Sequence, residues 1–222
     1  MHTLYIEHTS PRQCLTGMTA QELHFFDTVA PYWDRSDCLS TPHKLNRLMR
    51  LGGVTTGQSV LDLGTGTGVL LPYIADAVGP AGRIVADDLS TQMLLRARQK
   101  YSTLCPAPTF LNLDFEKQDI PGRYHHIIMY CVYPHMETPL HTLRRLRADN
   151  LLPGGNILVA FPCSADRINA IHRHKAVDAE PLLPPRALAA CLRAHRIPSH
   201  ILSDTPDLYL LSIPAAPGQS PL

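Results

Sequence analysis

From Ser59 onward, short apolar runs alternate with longer stretches whose apolar residues recur every three to four positions. The runs "SVLDL" (59–63), "GRIVADD" (82–88), "TFLNL" (109–113), "HHIIMYCV" (125–132) and "NILVAF" (156–161) predict strands buried on both faces. Between them, "GVLLPYIADAVG" (68–79), "STQMLLRARQKY" (90–101) and "TPLHTLRRLRADNLL" (138–152) carry helical periodicity. Alternating β and α units predict a parallel sheet with helices on both faces. The pattern changes at the end. A helix over "PPRALAACLRAH" (184–195) is followed by two apolar runs around an Asp-Thr-Pro-Asp turn, a hairpin signal that predicts an antiparallel strand at 207–213. Ahead of the alternation, "TAQELHFFDTVAPYWDRSD" reads as a helix from Thr19, with Thr19 and Glu22 at capping-box spacing and Pro31 ending or kinking it. A second helix starts at Thr41, carries Pro42 in its first turn and closes at Gly52-Gly53.

The fold class that follows is α/β: a Rossmann-like, doubly wound, mostly parallel seven-stranded sheet, with an antiparallel C-terminal strand and an N-terminal helical lid. Residues 1–53 are expected to form an arm and the lid, 54–214 the main domain, and 215–222 a disordered tail.

Composition narrows the class. Hydrophobic residues make up 45% and charged residues 18% of the 222, as in a globular chain. With 20 basic against 19 acidic residues there is no nucleic-acid or anionic-membrane footprint. No stretch approaches the ~18 apolar residues of a membrane span. The first residues lack the basic and apolar regions of a signal peptide, and the six cysteines are scattered without a C-x-x-C pair, so reduced thiols and a cytoplasmic location are expected.

The chemistry concentrates at "SVLDLGTGTG". A dinucleotide fingerprint G-x-G-x-x-G would need glycine at position 69 or 71, where Val69 and Leu71 stand, and a P-loop would need a Gly-Lys-Ser/Thr ending that is missing. The spacing is instead D-x-G-x-G-x-G, with Asp62, Gly64, Gly66 and Gly68. A carboxylate at a strand end beside a helix N-terminus suits a ligand that carries a cation rather than a pyrophosphate. Asp88 follows about 20 residues on, where a carboxylate can accept both hydroxyls of a ribose. Asp114, with Phe115 beside it, follows the third strand and is placed to take an adenine amino group while the ring packs on the base.

These blocks resemble the class I S-adenosylmethionine-dependent methyltransferases. "VLDLGTGTG" is similar to their motif I, "ADDLSTQML" to the "GVDLSPEML" block, "LNLDFEKQDIP" to "GDAEDLPF", and "NLLPGGNILVAF" to the "LKPGG" strand. "FFDTVAPYWD" resembles the F-D-x-x-A-x-x-W-D entry of quinone- and small-molecule-type members, and the resemblance spans 25–161. It implies S-adenosyl-L-methionine as cofactor, with S-adenosyl-L-homocysteine as product. Asp62, Gly64, Thr65, Gly66 and Gly68 would lie near the methionine moiety, and Asp88 would bind the ribose. Leu89 and Met93 would line the adenosine pocket, Asp114 and Phe115 would hold the adenine, and Tyr130 would contact the methionine part. The acceptor side is expected to use His135, similar to the second histidine of the family's "LHHL" stretch, and His172 as catalytic groups. Tyr32, Trp33, Arg167 and Asn169 are candidates for acceptor contacts, with Asn169 and His172 on one helix face.

The chain departs from the family at strand four, where His125 takes the place of the usual aspartate, and Tyr130 replaces the frequent Asn or Asp of amino-group methylases. No metal-ligand spacing stands out beyond His172-x-His174. The expected function is methyl transfer to a small-molecule acceptor by direct displacement, without nucleic-acid or membrane partners. A catalytically silent cofactor-binding partner subunit and a nucleotide-dependent oxidoreductase are the alternatives. The acceptor and the oligomeric state are not legible.

Overall fold

The computed structural model describes residues 20–36, 39–175 and 179–216. The chain folds around a seven-stranded sheet of order β3-β2-β1-β4-β5-β7-β6. Its strands are β1 (Ser59–Leu63), β2 (Arg83–Asp87), β3 (Thr109–Leu111), β4 (Tyr124–Tyr130), β5 (Leu151–Phe161), β6 (His200–Thr205) and β7 (Leu208–Pro214). The pairings among β1 to β5 are all parallel, and β7 runs antiparallel to both of its neighbours. The strand order reverses between β1 and β4, so their carboxyl ends flank the crevice where such sheets bind ligands.

Alternation of buried side chains explains why the sheet is covered on both sides. In β4 and β5, Ile127, Met129, Ile157, Val159 and Phe161 enter one core, while Ile128, Tyr130, Leu158 and Ala160 enter the other. Five consecutive buried residues make β1 the apolar centre, Asp62 among them. The helices are α1 (Ala20–Val29), α2 (Trp33–Ser36), α3 (Pro42–Gly52), α4 (Leu71–Val78), α5 (Thr91–Tyr101), α6 (Pro139–Arg145), α7 (Ala165–Lys175) and α8 (Pro185–Ala194). A Cβ on Gly52 would lie 2.4 Å from Leu158 Cδ1, so α3 rests directly on β5. Among the described residues no helix is long and apolar enough to cross a membrane.

Two predicted boundaries shift. The helix expected over 138–152 ends its α-helical part at Arg145, continues as a π-helical turn over Leu146–Asn150, and gives way to β5 at Leu151. Leu151 pairs with Tyr124, and a bulge separates that pair from the regular register beginning at His126 and Asn156. Gly155 permits the bulge, because a Cβ there would stand 2.6 Å from the His125 carbonyl oxygen. The second shift is at the end of β4. Cys131 turns out of the strand at φ 60°, while its N–H still donates to the Ala160 carbonyl at 2.9 Å. That left-handed conformation aims the chain into the crevice at a cost of about 1 kcal/mol.

Pro31 breaks the N-terminal helix as expected, through a 3-10 turn at Ala30–Tyr32 that leads into α2. Thr19 of the expected capping box lies outside the described residues, and Glu22 instead faces His135. At the other end, the Ala215 N–H donates to the Gly155 carbonyl at 2.9 Å. The arm at 1–18 and residues 217–222 of the tail lie outside the described part.

Candidate active site

Where β1 ends, the chain must turn sharply into the helix that starts at Leu71, and Gly64 makes that turn at φ 66°. Its missing side chain matters, since a Cβ would meet Val132 Cγ2 at 2.5 Å. Gly66 (φ 57°) would meet nothing within 4 Å, which leaves its backbone open toward the crevice. The loop is pinned from below. The Thr65 hydroxyl donates to Asp62 Oδ2 (2.7 Å), the Thr65 N–H to the Asp87 carbonyl (2.8 Å), and the Gly66 N–H to Asp88 Oδ2 (2.7 Å). Asp88 also accepts from the Ser90 N–H at 2.8 Å, and Ser90 caps α5 by accepting from the Met93 N–H at 3.1 Å.

A cavity of about 430 Å³ opens above this loop. Asp62, Gly64, Thr65, Gly66, Asp88, Leu89 and Met93 line one end of it, Asp114 and Phe115 border it from the loop after β3, and Tyr130 closes it from β4. The acids are electrostatically unusual. Burial pushes the Asp62 carboxyl up to about 7, against the Thr65 hydrogen bond, with the charge of Asp88 adding to the rise. Burial likewise lifts Asp88 to about 6, against the Ser90 and Gly66 hydrogen bonds and with Asp27 adding to it. Behind them Asp87 is raised to about 8 by burial and by Asp88; its Oδ1 accepts from the Leu113 N–H, while Oδ2 is buried without a partner among the described residues. Asp114 is engaged by its own turn, accepting from the Glu116 N–H at 3.1 Å and pairing with Lys117 Nζ at 3.0 Å.

The N-terminal segment covers the cavity. Asp27 on α1 accepts from the Ser90 hydroxyl (2.6 Å) and the Gln92 N–H (3.4 Å), which ties α1 to the start of α5. Asp34 on α2 accepts from the Thr67 hydroxyl (2.5 Å) and Lys100 Nζ (2.8 Å). Burial works to raise the Asp34 carboxyl, but the Lys100 and Thr67 hydrogen bonds outweigh it and hold it below its ordinary value. Ser40 and the Tyr130 hydroxyl share a hydrogen bond of 2.8 Å, so the chain ahead of α3 is fastened to the end of β4.

At the far end of the cavity, Trp33 packs against Phe26 with centroids 5.7 Å apart, and Phe26 stands edge-on to His135 at 5.6 Å. His135 in turn lies 5.2 Å from His172, and its Nδ1 is 3.3 Å from a Glu22 carboxylate oxygen. Trp33, His135, Arg167 and His172 all line the cavity.

Three predicted residues are not brought to it. The Tyr32 side chain is 63% exposed, with the Arg35 guanidinium 5.8 Å from its ring centre. Gly68 is packed under Tyr101 and Leu71, where an added Cβ would stand 2.8 and 2.9 Å from them. Asn169 turns toward the following chain segment, where its amide donates to the Leu182 carbonyl (2.9 Å) and accepts from the Leu182 N–H (2.8 Å). The helix face expected to carry Asn169 and His172 together therefore does two jobs, with Asn169 holding backbone and His172 facing the cavity. Conversely, Glu22, Asp27 and Ser40 take part in the site or its cover without having been singled out. Asp27 stands inside "FFDTVAPYWD", so its signal was present; Glu22 had the competing explanation of a helix cap. At strand four, Nδ1 of His125 accepts from the Ser59 N–H at 3.0 Å, so the residue found in place of the family's aspartate clamps β4 to β1.

Residues 61–157 match a family model described as a methyltransferase domain. Among curated proteins, the ubiquinone/menaquinone biosynthesis C-methyltransferase UbiE of Pseudomonas savastanoi pv. phaseolicola is 32% identical over 144 residues, covering 60% of this chain and 55% of that protein. The chain therefore spans about half the length of the curated relatives it matches. Among solved structures, a SAM dependent methyltransferase from Aquifex aeolicus superposes with a TM-score of 0.63 at 20% identity, over 80% of this chain and 95% of that one. The DhpI–SAH complex superposes at 0.69 with 16% identity, over 88% of this chain and 96% of that one. At these identities the structural likenesses speak for the fold.

Proposed function

For a chain whose residues 61–157 match a methyltransferase-domain model, we propose an enzyme of the class I S-adenosylmethionine-dependent methyltransferases that transfers a methyl group from S-adenosylmethionine to a small, largely apolar acceptor. The observation that carries this reading is the pairing, in one cavity, of buried acids at the end of β1 and β2 with an aromatic and histidine-lined pocket under α1. The acid end fits the cofactor. Burial and neighbouring acids raise Asp62 and Asp88, and no basic group among the described residues offsets the rise, so a positively charged ligand relieves what burial costs. Open backbone at Gly66 admits a ligand lying flat on the loop.

In this reading Asp88 receives the ribose hydroxyls, Leu89 and Met93 enclose the adenosine, Asp114 and Phe115 border the adenine, and Asp62, Gly64, Thr65, Gly66 and Tyr130 surround the methionine part. The bound cofactor supplies a methyl group already activated on a positively charged sulfur. What remains for the protein is to orient the acceptor, exclude water and manage any proton the acceptor carries. Trp33, Phe26 and Arg167 shape the acceptor end, and α1 with α2 shields it. In the same proposal residues 1–53 form the cover, 54–214 the catalytic domain, and the protein works in the cytoplasm. The name of the UbiE relative, a quinone C-methyltransferase, supports a ring-shaped acceptor.

Titration calorimetry with S-adenosylhomocysteine and with NADH tests the reading. Micromolar binding of the former and none of the latter is expected. Asp88→Ala should weaken S-adenosylhomocysteine by roughly 1–3 kcal/mol, the scale of charged hydrogen bonds lost. Binding of NADH alone overturns the proposal.

A further inference from the structure

His135 and His172 line the cavity with their rings 5.2 Å apart, and Glu22 stands behind His135. The two partners of the Glu22–His135 hydrogen bond expose only 8% and 9% of their side chains. Resting on the function proposed above, we infer that His135 is the general base of the reaction, that Glu22 is its positioning residue, and that the acceptor presents an ionisable hydroxyl.

A carboxylate only accepts hydrogen bonds, so the His135 nitrogen facing Glu22, Nδ1, must be the one that carries hydrogen. In the neutral ring the lone pair then sits on Nε2. The ring is held on two further sides, by the edge-on contact with Phe26 and by His172, so it cannot swing to exchange its nitrogens without displacing both. The His135 N–H donates to the Val132 carbonyl at 2.9 Å, which anchors the same residue's backbone to the turn after β4. This is an arrangement of carboxylate, oriented imidazole and open cavity in which the second nitrogen can take a proton from a bound ligand.

The proton step balances within the site. The acceptor's O–H bond breaks, its electron pair stays on oxygen, and a new N–H bond forms at Nε2. The imidazolium produced lies against the Glu22 carboxylate, which stabilises its charge. Among the described residues Arg167 and His172 on α7 also line the cavity, and Arg167 favours the oxyanion that the step creates. A donor whose methyl group is already activated has no need of a base unless its acceptor must lose a proton. A thioether acceptor, which has no proton to lose, would leave this buried pair without a task, whereas a phenol or enol makes use of it.

Glu22 belongs to α1, the helix that Asp27 fastens to Ser90 beside the ribose acid. Covering the cavity and orienting the base are thus one placement of one helix.

The test has two readouts. Nitrogen-15 spectra of histidine-labelled protein, assigned with His135→Gln, should show His135 with hydrogen on Nδ1 and a lone pair on Nε2 in the neutral ring. Glu22→Gln, whose amide donates as readily as it accepts, should mix the two tautomers. An Nε2–H form in the wild type, or spectra unchanged by the substitution, overturns the role of Glu22. The second readout is S-adenosylhomocysteine release with 2-naphthol and hydroquinone as probe acceptors. A fall in kcat of about 10–100-fold in Glu22→Gln with KM within threefold is expected, and partial recovery in Glu22→Asp supports it. An unchanged kcat, or a wild type that binds S-adenosylhomocysteine and turns over neither hydroxyl probe, overturns the assignment. Failure to bind S-adenosylhomocysteine at all instead overturns the function proposed above, while the tautomer result still judges the Glu22–His135 pair.

Discussion

Raising the pH from 5.5 to 7.5 should tighten the binding of S-adenosylhomocysteine, and the buried acids set both the size and the window of the effect. Asp62 and Asp88 stand at about 7 and about 6 in the ligand-free protein, both above the ordinary 3.8. A raised carboxyl means that the folded chain holds a proton the unfolded chain has already shed. The stability tied to that proton is present in full below about pH 4 and is lost progressively as pH climbs to about 6 for Asp88 and about 7 for Asp62. For Asp62, the difference between 3.8 and about 7 corresponds to at most about 4 kcal/mol. In the proposed binding mode the ammonium of a bound ligand gives ionised Asp62 a partner, and the ribose hydroxyls donate to ionised Asp88. An acid that must lose its proton to engage a ligand makes affinity rise tenfold per pH unit below its own value and level off above it. Over the two units chosen, that yields about 20-fold from Asp62 and about fourfold from Asp88. Calorimetry at three pH values, each in two buffers of different ionisation enthalpy, measures the affinity and counts protons released. Asp62→Asn should keep only the smaller part of the rise, and adenosine, which lacks the ammonium, should behave likewise with the wild type. Affinity that is flat or falls with pH, or proton uptake on binding, refutes the argument.

Gly64→Ala places a Cβ 2.5 Å from Val132 at a φ of 66°. It should cost about 2–4 kcal/mol in urea unfolding, from the left-handed backbone and the displaced valine together, and a companion Val132→Ala should recover the second part. Gly66→Ala, with open space around the new methyl, should cost only about 1–2 kcal/mol of backbone strain while weakening S-adenosylhomocysteine, since the loop's open face is filled. Asp27→Ala removes the acceptor for Ser90 and Gln92. Amide exchange across α1 should then accelerate about tenfold while the sheet's protection is unchanged; equal exchange would show that α1 is held by its aromatic contacts alone.

How much of this was readable depends on whether one residue or several decided the matter. The doubly wound architecture follows from periodicity, because a strand such as "SVLDL" buries every side chain and admits no alternative that leaves it on a surface. The acids at 62, 88 and 114 were readable because each stands at a strand's carboxyl end, where the topology forces side chains into the crevice. Boundaries set by long-range pairing were not. Leu151 carries helical periodicity, yet its partner is Tyr124, and only the glycine at 155 permits that pairing. Side-chain direction on the helices was equally hidden: a spacing of three puts Asn169 and His172 on one face, and Leu182 decides which of them turns from the cavity. Glu22 shows the limit most clearly. Four residues into a helix an acid already has a local explanation as a cap, and nothing in its neighbours announces a histidine 113 positions away. The proposed cofactor end of the cavity is built from strand termini and so is written in local motifs. The proposed acceptor end joins side chains of α1, α7 and the turn after β4, so its chemistry exists only in the folded chain.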